Sequence, residues 1–222
     1  MKLKTNCLVL LDSNICIYRT LGLVNPPIYP RTELDGAINK IHEITNSYKG
    51  KIIITDIVIR ELQNKQILFQ EIFNFWKEKL HGSRLYSVQR MMRQAEKSIN
   101  KLFSRYIPDP SITQKLLNYK KNISKIDLFY LSYPQKLKDI TERKTKGKTQ
   151  PEINRKLLQR PNNLPEETDR HLLAQAMELR NGLSTDVHLF SDDSDFREFK
   201  LEIKSNFNVS ILSSDDTIDR ED

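Results

Sequence analysis

The chain has 222 residues, of which 38% are hydrophobic and 29% charged, enough apolar material for one large core and too much for wholesale disorder. Six glycines and nine prolines exclude collagen-like and low-complexity chains, and the longest apolar runs are far too short to cross a bilayer. The net charge of +7 is uneven: residues 62–168 hold 22 Lys/Arg against 10 Asp/Glu, a net of +12, while the rest of the chain is net −5.

The first element expected is a strand. Cys7–Leu11 is a continuous apolar run, the pattern of a strand buried on both faces of a parallel sheet, and it stops at Asp12-Ser13-Asn14. No small-residue cleavage site follows it, so it reads as structure and not as a signal peptide. Cys7 and Cys16 have no CxxC spacing and no His at ligand distance, which excludes a disulfide framework and a structural zinc site and points to a cytoplasmic protein. Three prolines make 21–32 a loop. Leu34, Ile38, Ile41 and Ile44 predict a helix over 33–48, and 51–54 a second strand. Thr55-Asp56 offers a cap for a helix carrying Ile57, Ile59 and Leu62.

From 62 to about 160 the apolar period is helical. A first helix ends near Gly82, a second covers 84–106, and a third 112–133. The Lys/Arg-rich stretch 136–160, interrupted by Gly147 and Pro151, is expected to be a mobile basic loop or frayed helix. Alternation then returns. A helix from 165–168 to Gly182 precedes a strand over 187–191, then a short helix and a last strand over 209–212. Residues 214–222 are expected to form an acidic disordered tail. Alternating strands and helices imply an α/β fold, a three-layer sandwich around a parallel sheet of four or five strands. Residues 62–163 are too long for one crossover and read as an inserted helical lobe.

Parallel sheets bind ligands beyond the carboxyl ends of their strands. Asp12, Glu61, Asp193 and Asp195 follow predicted strands, and Asp169 opens the helix leading into one. Each alone has an ordinary reading as a cap or surface residue, as Asp56 does. Together they would repel one another unless a cation sat among them. An oxygen-only set suits Mg²⁺ or Mn²⁺, which lower the pKa of bound water and neutralise phosphoryl charge, so the expected reaction is phosphodiester hydrolysis.

These segments resemble the PIN-domain family of metal-dependent nucleases. The likeness lies in the strand into Asp12-Ser13-Asn14, in IIITDIVIREL ending at Glu61-Leu62, in TDRHLLAQAMELRNG beginning at Asp169, and in LFSDDSDF from Leu189 to Phe196. It covers about 1–62 and 164–213; the 62–163 segment exceeds what small members carry. The resemblance implies a nuclease core at 1–61 and 164–213. It also implies that Asp12, Glu61, Asp169 and Asp193 hold one or more metal ions, with Asp195 accessory, Ser191 as the hydroxyl and Asn14 as a supporting polar group. Asp192 would stand behind or outside the site. RNA is favoured over DNA as substrate by the same analogy.

Other chemistries lack their motifs: all six glycines are isolated, and neither GxSxG nor HExxH occurs. The basic segment is expected to meet phosphates through Lys144, Lys146, Lys148, Arg155 and Lys156. The leading expectation is a Mg²⁺/Mn²⁺-dependent endoribonuclease acting on single-stranded or structured RNA. A non-catalytic RNA-binding module and a toxin-like protein held by an inhibitory protein partner stand as alternatives. A homodimer is also open, and no membrane is expected.

Overall fold

A computed structural model describes residues 7–22, 39, 41, 43, 45–46 and 51–216. In chain order the strands are β1 (Leu8–Leu11), β2 (Lys51–Ile53), β3 (Val187–Phe190) and β4 (Val209–Leu212). They form one parallel sheet of order β2-β1-β3-β4. β1 and β3 are central and buried at every position, which is why their sequences are unbroken apolar runs apart from His188. The fold is α/β and mostly helical.

Strand order decides where a ligand can sit. From β1 the chain passes to β2 on one side, then crosses to β3 on the other and continues outward to β4. Between β1 and β3 the connections diverge, opening a crevice at the strands' carboxyl ends. The register pairs Leu11 with Phe190, so Asp12 and Ser191 emerge side by side. The Asp12 amide donates to the Phe190 carbonyl and the Ser191 amide to the Leu212 carbonyl, each at about the ladder distance (3.0 and 2.9 Å).

The helices are α1 (Ser13–Gly22), α2 (Asp56–Lys77), α3 (Gly82–Tyr106), α4 (Pro110–Leu116), α5 (Ile123–Leu131), α6 (Pro134–Thr145), α7 (Gln150–Gln159), α8 (Glu167–Gly182), α9 (Ser194–Arg197) and α10 (Lys200–Phe207). α8 lies against β3, α2, α4 and α5. Its face Leu172, Leu173, Ala176, Met177 and Leu179 is buried, as the spacing predicts. α3 packs on α1, and the Ile54 amide bonds to the Tyr106 carbonyl at 2.8 Å. Leu102, Ile112, Ile126, Tyr130, Leu137 and Ile140 of the 62–163 segment belong to the same continuous apolar cluster as the strands. Among the described residues no helix is long and apolar enough to cross a membrane.

One expectation, a mobile basic loop or frayed helix over 136–160, is corrected. The stretch is two capped helices joined by a tight turn. Gly147 takes φ +76°, the left-handed geometry the turn needs. Pro151 lies in the first turn of α7, where its missing N–H costs no hydrogen bond. The Glu152 carboxylate accepts from the Thr149 amide and hydroxyl (2.9 and 2.7 Å), fixing the helix start. The predicted 112–133 helix is also divided, into α4, a 3₁₀ turn at Tyr119–Asn122, and α5.

The acidic end is corrected in part. Ser214 donates its amide to Asp192, Asp215 pairs with Arg197, and Asp216 pairs with Lys200. These three residues are docked, and 217–222 lie outside the described residues. So do most of the predicted 21–32 loop and 33–48 helix, although residues 39, 41, 43, 45 and 46 are helical and Ile41 is buried.

Candidate metal centre

Asp12 leaves the sheet at the end of β1 and is 3% exposed. Its Oδ1 accepts from the Ser13 amide, and its Oδ2 accepts from the Ser191 hydroxyl (2.5 Å) and from Asn14 Nδ2 (2.9 Å). The same Ser191 oxygen accepts from the Asp193 amide at 3.0 Å. Asn14 Oδ1 receives the Asp192 amide. Asn14 and Ser191 therefore clip the loop after β1 to the loop after β3. Asp192 faces the other way, toward the Ser214 amide.

Asp193 caps α9, its Oδ1 accepting the Asp195 amide at 2.8 Å. Asp169, in the first turn of α8, comes to the same place. Asp169, Asp193 and Asp195 each present a carboxylate oxygen, all within 4.8 Å of one another. Asp169 is half-buried and accepts no hydrogen bond or ion pair from any described residue. Glu61, on α2, stands apart from this trio. It pairs with Lys65 at 2.5 Å, and Lys65 also donates to the Ser13 hydroxyl. Its charge nevertheless reaches Asp12.

Asp195 has a different environment. It is fully buried, and Arg160, itself 1% exposed, embraces it with both terminal nitrogens, one on each carboxylate oxygen. Lys144 adds its ammonium to Asp195 Oδ2 (2.6 Å) and to Asp193 Oδ1 (2.5 Å). Arg160 is held in turn by the Thr141 hydroxyl and the Asn163 carbonyl. Asp195 thus accepts from three nitrogen donors, two on Oδ2 and one on Oδ1, and ties α6 and the α7 terminus to the cluster.

The electrostatics follow this division. Burial, reinforced by the Glu61 and Asp193 charges, pushes Asp12 up to about 6 despite the Ser191 hydrogen bond. Burial and the charges of Asp193, Asp12 and Asp195 push Asp169 well above the ordinary carboxylate range. Burial would raise Asp195 as well, but the Arg160 hydrogen bonds and the Lys144 charge outweigh it and hold the carboxyl low. Cys16 is no nucleophile, since burial and the Asp12 charge push its thiol up. His188 is lowered to about 4 by burial and stays neutral in the sheet.

Two of the five predicted phosphate-binding residues face inward. Lys144 sits on the carboxylates, and Lys156 pairs with Glu166. Lys146, Lys148 and Arg155 are exposed and make no ion pair among the described residues. Arg160 and Thr141 were not legible as site residues. Nothing local separates Arg160 from the other bases of its stretch, and its partner lies 35 positions away.

An oxygen-only set in which Asp169 has no partner among the described residues, and Asp12 is hydrogen-bonded but has no cationic one, fits a hard divalent cation. The donors least committed are Asp169 and Asp193 Oδ2; Asp12, like Glu61, lies outside that trio, though its charge reaches Asp169. No protein-family profile, curated protein or solved structure matches this chain.

Proposed function

We propose that the chain is a divalent-metal-dependent phosphodiesterase acting on RNA, of the PIN-domain kind, with a three-layer core and 62–163 as its inserted helical arm. One observation supports the reading: at the topological switch point of a parallel sheet, Asp169 stands beside Asp193 without a cationic partner, and the buried Asp12, also without one, feels the charge of Asp193. Such a constellation is costly in itself and gains when a cation binds.

Asp169 and Asp193, with Asp12, would hold Mg²⁺ or Mn²⁺, which supplies Lewis acidity and an acidified water for attack on a phosphorus centre. Ser191 and Asn14 orient Asp12 by fixing its Oδ2. Glu61 adds negative charge on the α2 side. Lys144 contributes a positive charge that a phosphate oxygen can approach, 15% exposed at the edge of the cluster. Lys146, Lys148 and Arg155 provide exposed charge for the phosphate backbone, a contact that positions the strand without reading its bases.

The test is incubation of the purified protein with a mixed RNA pool in Mn²⁺ and in EDTA, resolved by electrophoresis. Discrete shortening in Mn²⁺ alone supports the reading. RNA bound equally well in EDTA and never cut would instead favour the non-catalytic binding module.

A further inference from the structure

Helix α3 carries charge of one sign along one face. From Arg84 to Arg105 it holds six Lys/Arg and a single acid, Glu96. Arg90, Arg93, Lys97, Lys101 and Arg105 recur every three or four residues. They therefore stand in one row, about 22 Å long and within about a third of the helix circumference. All five are exposed, and none makes an ion pair among the described residues. Leu85, Val88, Met92, Ala95, Ile99 and Leu102 share the opposite side, buried or half-buried, where α3 packs on α1 and α2. Packing therefore fixes which way the row points.

A face that needs only solvent is built differently elsewhere in this chain. On α2 and α6 bases are matched one turn away by acids: Arg60 by Asp56, Lys65 by Glu61 and Lys138 by Glu142. On α3 the neighbours one turn apart, Arg93 and Lys97, Lys97 and Lys101, Lys101 and Arg105, are like charges that repel and weaken the helix. That arrangement gains when a polyanion lies along it. The row also leads to the site. The Tyr106 carbonyl at the end of α3 accepts the Ile54 amide. In the β1–β2 register Ile54 follows the pair Leu10–Ile53 and stands level with the end of β1. The row thus ends about 10 Å, two strand spacings, from the strand that delivers Asp12.

We propose that the outward face of α3 is a nucleic-acid contact additional to Lys146, Lys148 and Arg155, in which RNA phosphates lie along Arg90, Arg93, Lys97, Lys101 and Arg105 and the strand passes from Arg105 toward the carboxylates. The choice of RNA among polyanions rests on the reading above; the contact itself needs no metal. Five exposed bases match phosphate charge, and a straight row meets successive phosphates without reading bases.

The test measures binding in EDTA, apart from any metal-dependent cleavage, by fluorescence anisotropy of a labelled single-stranded RNA with the intact chain over a range of salt. The triple variant Arg93→Gln, Lys97→Gln, Lys101→Gln keeps good helix formers. It should flatten the log–log salt slope by about two, at ~0.7 per phosphate, and weaken binding at low salt by more than about tenfold. Lys125→Gln, Lys138→Gln, Lys204→Gln removes the same charge from exposed positions on α5, α6 and α10 and should leave the slope unchanged. Circular dichroism confirms that each variant is folded. A wild-type slope in the α3 variant, or an equal loss in both triples, would overturn the proposal. If the α3 variant lost binding to anionic phospholipid vesicles while still binding RNA, the row would be a membrane contact and the proposal would fall. If wild type bound no RNA, the RNA reading would fail and this inference with it. RNA bound through α3 but never cut in Mn²⁺ would uphold the contact and refute the nuclease.

Discussion

Replacing Arg160 with Met would remove the guanidinium from Asp195 while nearly preserving side-chain volume. Both residues are buried, so the variant leaves a carboxylate in the core with less than its native compensation. Breaking a buried pair in this way costs about 3–5 kcal/mol. Lys144 still bonds Asp195 Oδ2, which places the expected loss near the lower end, about 3 kcal/mol. At roughly 2–4 °C per kcal/mol for a chain of this size, the melting temperature should fall by about 6–12 °C. The pH dependence gives a second, independent signature. In wild type, Asp195 is held below its ordinary value, so its stabilising share is complete above about pH 4 and lost only as pH falls through the lower folded value. In the variant burial dominates and raises that carboxyl, so the penalty should be largest at pH 7.5 and shrink toward pH 5. Urea unfolding followed by circular dichroism at both pH values, in EDTA, measures it. Adding Asp195→Asn should recover at least about 1 kcal/mol through the coupling expected of contacting residues. A loss below about 1 kcal/mol at pH 7.5, or strict additivity with Asp195→Asn, would refute the buried-anchor account.

Asp12→Asn should raise the melting temperature in EDTA at pH 8, because the wild-type carboxyl, lifted to about 6, must ionise in a buried site at a cost of about 2–3 kcal/mol. The difference should shrink below about pH 6 and vanish only below about pH 4, where the unfolded carboxyl is protonated as well; equal melting at pH 8 would count against it. Mn²⁺ should stabilise wild type at pH 8 by mass action and progressively less below about pH 6, where Asp12 must give up a proton to bind. A pH-independent Mn²⁺ shift in differential scanning calorimetry would contradict this. Charge reversal of Lys146, Lys148 and Arg155 together should flatten the salt dependence of RNA binding by about two in log–log slope, at ~0.7 per phosphate. An unchanged slope in filter binding would leave those residues as solvated surface.

Strands β1 and β3 and helix α8 were legible because their burial is written locally, as unbroken apolar runs and a helical stripe. The acids at the strand ends were legible for the same reason: each follows directly on a readable element. The 136–160 stretch misled because charge density hid its folding signals. The Thr149–Glu152 spacing and the prolines at the helix starts were present in the sequence but outweighed by the run of lysines. Arg160 and Lys144 were illegible for a deeper reason. Their burial depends on carboxylates 35 and about 50 residues away, and no local pattern encodes a tertiary ion pair. Consequently the carboxylates at the sheet's end could be located in advance, and the bases paired with them could not.

The most direct measurement is a Mn²⁺ dose–response of RNA cleavage for wild type beside Asp169→Asn. Asp169 is the half-buried carboxylate without a protein partner among the described residues, so the substitution removes a donor without breaking a described contact. Saturable, Mn²⁺-dependent cleavage by wild type and its loss in a variant of unchanged fold is the predicted result. Equal cleavage by both proteins, or cleavage that persists in EDTA, would contradict a metal-dependent nuclease centred on these carboxylates.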